Sequence, residues 1–254
     1  SASIKVSGVD VVIGTGASTD QVTLLTGGAL SVSDVATVVG SSGTSDALTL
    51  LVTDNVSISA IESVIGTGST DVVTLTAATR LSESGVASVI GSSGTDVINM
   101  LNTGALAVSA VETVLGSSAA GDAVTLLAAG TVSTSQVESV VGTTATTDVL
   151  RLLSTGSVAV SVIDTVIGST GLDILTVTDS GTTGALAISA IESVIGTTAT
   201  GETVTLLTSS SLSMSGFETV IGSAASNDQV TLLGSASLAV SGVETVVGGT
   251  DTTD

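Results

Sequence analysis

The chain has 254 residues, 23 of them acidic and 3 basic, a net charge of -20, no Cys, His, Trp, Tyr or Pro, and a single Phe, Phe217. This set excludes thiol and imidazole chemistry, ordinary zinc or copper sites, and aromatic platforms for sugar rings or single-stranded nucleic acid. The only cations, Lys5, Arg80 and Arg151, cannot form a phosphate-binding surface, and the net charge repels nucleic acid.

Mean hydropathy is high, +0.73. No apolar run approaches the roughly 20 residues of a membrane helix, so membrane insertion is not expected. The organising feature is a repeat that closes on a glycine, at Gly14, Gly40, Gly66, Gly91, Gly116, Gly142, Gly168, Gly196, Gly222 and Gly248. Successive intervals are 26, 26, 25, 25, 26, 26, 28, 26 and 26 residues. A fixed period of that size marks a stacked repeat architecture.

Each repeat holds three short β-like runs, first met as Val22–Leu25, Leu30–Val32 and Val35–Val39. Valine, isoleucine and threonine dominate them, with Gly, Ser, Thr and Asp loops between. No helical stripe appears. The spacing predicts an all-β, single-domain β-solenoid over 1–254. It would have about ten coils of ~26 residues, with three parallel strands per coil and each strand pairing with its equivalent one coil on. A propeller blade needs about 40 residues, which excludes that alternative. Length changes fall in loops: Gly66 to Asp71 and Gly91 to Asp96 are short, and Ser180 to Thr183 carries extra residues.

Stacking turns repeat positions into rows. Serine stands seven residues before every anchor glycine, from Ser7 to Ser241. It reads as a tight corner whose hydroxyl bonds a neighbouring backbone group or the serine above. Adjacent aliphatic residues, as in Leu24-Leu25 and in each Val-Val or Val-Ile before the glycine, cannot both face inward on a straight strand. They imply either a corner or an outward aliphatic stripe that meets another rod.

Two rows are acidic. One runs Asp10, Glu62, Glu112, Glu138, Asp164, Glu192, Glu218 and Glu244, with Ala36 and Ala87 interrupting it. The other runs Asp20, Asp46, Asp71, Asp96, Asp122, Asp148, Asp173, Glu202, Asp228 and Asp254. At about 4.8 Å between coils, like charges repel by roughly 1 kcal/mol in water. Water, raised pKa values or bound cations are the possible offsets; Asx-turn capping of loop N–H groups is the purely structural role.

The loop Gly91-Ser92-Ser93-Gly94-Thr95-Asp96-Val97-Ile98 and its counterpart Gly168-Ser169-Thr170-Gly171-Leu172-Asp173-Ile174-Leu175 resemble the calcium-binding nonapeptide of bacterial secreted RTX proteins. That resemblance implies Ca²⁺ as the ligand of Asp71, Asp96 and Asp173, with no cofactor otherwise required. The wider phrase, as in Ile191-Glu192-Ser193-Val194-Ile195-Gly196, is similar to the β-strand repeats of bacterial surface and extracellular proteins, and so implies an extracellular or cell-surface setting.

Ile4–Ser7 and Val243–Gly248 both read as repeat, so no separate caps are expected. Uncapped strand edges template further pairing, and a head-to-tail contact that does not close gives an open filament. The expected function is a structural subunit that partners with itself, end to end and laterally, in an extracellular filament, tube or surface layer. The alternative is a calcium-binding or adhesive module of a larger secreted protein. An enzyme is not expected: 18 of the 23 carboxylates belong to these two rows, no loop is long enough to build a cleft, and no aromatic lines a sugar subsite.

Overall fold

The computed structural model describes residues 3–43, 45–68, 70–179, 185–234 and 237–249. Asp254 and the extra residues Ser180 to Thr183 lie outside them. The described residues form 29 strands and no helix, and so none long and apolar enough to cross a membrane. The chain makes two compact units, Ser1–Ala128 and Ala129–Asp254.

Each repeat contributes a leucine strand such as Gln21–Leu24, a serine strand such as Ala29–Ser33 and an anchor strand such as Thr37–Val39. Successive strands alternate between two parallel sheets. In the first unit Gln21–Leu24 pairs with Ser3–Val6 on one side and Thr37–Val39 on the other, and Thr37–Val39 pairs next with Asn55–Ser59. The strands between them, Ala29–Ser33, Ala47–Leu50 and Ser63–Ile65, form the opposite sheet. The second unit repeats this order, with Ser139–Val141 followed by Gly156–Ser161, Asp173–Val177 and Ser193–Ile195 in one sheet.

The fold is therefore the expected β-solenoid, with a shorter coil than expected. Register partners are 18, 16 and 20 residues apart at Ser3–Gln21, Gln21–Thr37 and Thr37–Ser57. One coil has two strands, and three strands make one and a half coils. The coils thus outnumber ten, and no strand pairs with its own equivalent. The physical reason is that all three connections of a repeat reverse the chain. Leu25–Gly28 joins leucine to serine strand, Asp34–Ala36 joins serine to anchor strand, and Gly40–Asp46 joins anchor to leucine strand.

Within each unit the core lies between the two sheets. Leucine and serine strands each send two residues inward and the shorter anchor strand sends one: Val22 and Leu24, Leu30 and Val32, then Val38. Anchor-strand valines Val38, Val64, Val89, Val140, Val194 and Val220 are all 0% exposed. Full burial of such a side chain contributes about 1.5–3 kcal/mol. The doubled aliphatics follow strict alternation. Leu24 is buried while Leu25 is 57% exposed, and Val64 is buried while Ile65 is 47% exposed. Each pair thus sends one residue outward, but not into an unbroken stripe: Ile65 stands between Thr49 and Ser84 in its sheet, and Leu25 lies in the connection after its strand.

Candidate functional site: the corner carboxylates

The anchor glycine ends its strand against the corner of the next serine strand. Gly40 N–H donates to Ser59 O at 2.8 Å, and Gly91 N–H to Ser109 O at 2.7 Å. The residue after each serine is left-handed: Ala60 at φ 52°, Ala110 at 51°, Gln136 at 56°, Val162 at 55°, with glycine at Gly85 and Gly216. This twist carries the carbonyl of Ala60 over the glycine, where a Cβ on Gly40 would lie 1.6 Å from its oxygen. Only glycine fits, which explains its strict recurrence.

The serine is a corner residue, as expected, but its hydroxyl finds a different partner. Ser7, Ser135 and Ser189 bond Thr26, Ser154 and Thr208 at 3.0, 3.0 and 2.9 Å, and Asn102 Nδ2 donates to Ser84 Oγ at 2.6 Å. The next strand in the sheet is a leucine strand, so the residue past its outward leucine takes the place of a serine above.

The described members of the second acidic row are buried. Asp46 is 1% exposed and Asp71, Asp96, Asp122, Asp148, Asp173 and Asp228 are fully covered. Each caps a loop and ties it to the coil before. Asp46 Oδ2 accepts from Ser41 N–H at 2.6 Å and Ser41 Oγ–H at 2.9 Å, while Oδ1 accepts from Gly28 N–H at 3.0 Å. The first acidic row completes the device. Glu62 Oε2 accepts the N–H of Asp46 at 2.8 Å, Glu112 that of Asp96 at 2.7 Å, and Glu192 that of Asp173 at 2.8 Å. Charge-assisted bonds of this kind are about twice as strong as neutral ones.

The three residues singled out for calcium occupy these positions. Asp71 accepts from Thr67 N–H, Thr67 Oγ1–H and Asp54 N–H. Asp96 accepts from Ser92 N–H at 2.6 Å, Ser92 Oγ–H at 2.9 Å and Thr79 N–H at 2.9 Å. Asp173 accepts from Ser169 N–H at 2.6 Å, Ser169 Oγ–H at 2.9 Å and Gly156 N–H at 3.2 Å. Within the first unit Asp71 and Asp96 are not brought together, since they precede strands of opposite sheets; Asp173 is a residue of the second unit. Among the described residues no group of three or more acidic side chains is placed to hold a metal ion.

The two-strand coil also revises the charge spacing. Equivalent residues on one side of a unit recur every third strand, about 14 Å apart, and not at every strand as expected. At that distance two charges repel by about 0.3 kcal/mol in water, beyond a physiological Debye length. Repulsion along each row is therefore small, while between the rows Glu62 and Asp46 stand close together, joined through the Asp46 N–H. Asp54 differs locally: burial raises its pKa, bonds from Asn55 and Val35 N–H lower it, and Asp34 and Asp71 raise it further.

Sequence reasoning missed Glu83. It is 3% exposed and points inward, where other serine strands carry Val32, Ile58, Val108, Val160, Ile188 or Met214, and one carries Thr134. Its alternation with the buried Leu81 was the available signal. Glu83 borders a pocket of about 530 Å³, with Val86, Met100, Asn102 and Thr103 among its walls. Burial pushes its pKa up to about 7 from 4.5, against the pull of Val86 N–H and with the help of the Asp122 charge.

A raised acid pKa means the folded chain holds its proton longer than the unfolded chain. Stability is full below the unfolded value of 4.5 and falls as pH rises through the folded value of about 7. From pH 4.5 to 8 this one group should cost of order 3 kcal/mol. Glu83→Gln should remove that pH dependence, read as the difference between the two proteins in amide exchange across Arg80–Ser84. Parallel pH profiles would refute it.

No protein-family model matches the chain, and no curated protein or solved structure shows significant similarity to it.

Proposed function

We propose that the chain is a structural subunit that self-assembles head to tail into an extracellular bacterial filament, tube or surface layer. The supporting observation is the sameness of the ladder. Every third strand of a sheet presents the same edge. An edge that recurs along the ladder is a template for one more parallel strand, and burying an inward valine such as Val194 or Val220, both fully buried, drives the addition. The corner carboxylates serve as internal caps in this reading, holding each loop to the preceding coil.

The test is negative-stain electron microscopy with millimolar calcium and with chelator. Fibres on both grids are the expected result. A discrete 24.2 kDa monomer at high concentration overturns the proposal. Fibres or a gain in melting temperature with calcium alone would favour a calcium-binding module of a larger secreted protein, the reading that the RTX-like loops suggest.

A further inference from the structure

Charge is sorted by position in this chain. Among the described residues only two acids stand within strands, Glu83 and Asp173, and both are buried. All other described acids lie in the connections. The outward residues of the strands are Ser, Thr, Val, Ile, Ala, Asn, Gln and Leu, plus the three cations: Lys5 and Arg80 in the first unit and Arg151 in the second. One sheet of the second unit has no charged outward residue at all. It comprises Ser139–Val141, Gly156–Ser161, Asp173–Val177, Ser193–Ile195, Ser211–Ser215, Gln229–Leu232 and Thr245–Val247.

We infer that this charge-free sheet face packs against the same face of a second copy, forming the lateral contact between assembled chains. The occupant follows from the charge distribution. Two copies of a chain with net charge -20 repel wherever their connections meet, whereas no strand of this face presents an outward carboxylate, Glu138, Glu192 and Glu244 standing at its rim. Its uncharged side chains, such as Ser139, Ala159, Thr176, Ile195, Ser213 and Thr231, can interdigitate between sheets as in dry sheet-to-sheet contacts, with no charge to desolvate. No aromatic stands on the face to stack on a sugar ring.

Seven strands about 4.8 Å apart, with outward positions spread over about 13 Å, make a face of about 400 Å². A standard interface buries about 800 Å² per partner, so one such contact is weak. It gains strength by repetition along a filament, where the second contact is intramolecular in effect. To that extent the inference rests on the proposed head-to-tail assembly.

The experiment compares the full chain with Thr176→Asp/Thr231→Asp, on this face, and with Thr165→Asp/Thr205→Asp, on the opposite sheet of the same unit. Circular dichroism melts establish that all three are folded. By electron microscopy the parent and the opposite-sheet variant should form laterally associated bundles. The Thr176→Asp/Thr231→Asp variant should give single filaments of undiminished length. Bundling unchanged in that variant, or lost equally in both, overturns the inference. If the parent forms no filaments, the head-to-tail reading fails separately, and sedimentation of the parent at about 1 mM decides this one. A weak dimer abolished by Thr176→Asp/Thr231→Asp supports it. A strict monomer, or retention on insoluble cellulose or chitin without self-association, refutes it.

Discussion

Gly91→Ala is expected to be among the most damaging single substitutions in the chain, costing more than about 4 kcal/mol. The new Cβ would meet Ala110 O at 1.7 Å and the Ala110 carbonyl carbon at 2.6 Å. Both are backbone atoms, and Ala110 is already held left-handed at φ 51°. Neither side can yield without breaking the Gly91 N–H to Ser109 O bond. The register between Ser88–Ile90 and Ala105–Ser109 would then be lost. Gly130→Ala is the control, because a Cβ there meets nothing within 4 Å and loses chain entropy only in the unfolded state. It should change stability by less than about 1 kcal/mol, in the stabilising direction. Chemical denaturation of the pair, with amide exchange locating the damage, measures the contrast. Equal effects would mean that the close approach is not what confines the position to glycine.

Asp96→Ala should cost about 3–4 kcal/mol. The carboxylate gathers two backbone N–H groups, from Ser92 and Thr79, and the Ser92 hydroxyl. Removing it leaves both amides without an acceptor in a covered corner, at about 1–3 kcal/mol each. The damage should cross coils, because Thr79 precedes one strand and Ser92 follows another, so exchange should rise at both. Asp96→Asn keeps one acceptor oxygen but turns an NH₂ toward another donor, and should recover less than half of the loss. If Asn matched the parent, the negative charge would contribute nothing to the cap. The same experiment in millimolar calcium separates capping from metal binding, since a cap alone gives the same loss with and without the ion.

Much of this was legible in the residues. The recurrence of Gly40, Gly66 and Gly91 announced a repeat fold, and the serine seven places earlier announced a corner. The coil itself was not legible. A 26-residue phrase with three runs fits a three-sided coil as well as one and a half turns of a two-sided one. What separates them is which distant strand each run meets, and Thr37–Val39 meets Asn55–Ser59 across a span that no local pattern encodes. From that single ambiguity came the wrong neighbour for Ser7, the overestimate of repulsion along the Asp46 and Glu62 rows, and the expectation of ten coils. The two acidic rows were identified as rows, yet their linkage through the N–H of Asp46 onto Glu62 appears only once the corner is built. Glu83 hid for a different reason: its row is otherwise almost wholly apolar, and one departure within a near-perfect repeat reads as surface variation until parity is counted.

A three-stroke phrase wound on a two-sided frame has a parity. One repeat carries the chain through an odd half-turn, so its successor shows the same residues to the opposite side. Within a unit, leucines Leu25 and Leu51 consequently look away from each other although they are the same letter of the phrase. Gaining or losing a single 26-residue repeat would therefore reverse the side on which every later residue stands, exchanging the faces downstream. Gaining or losing two would leave them where they were. Growth of such a chain by duplication is neutral to its surface only in even steps.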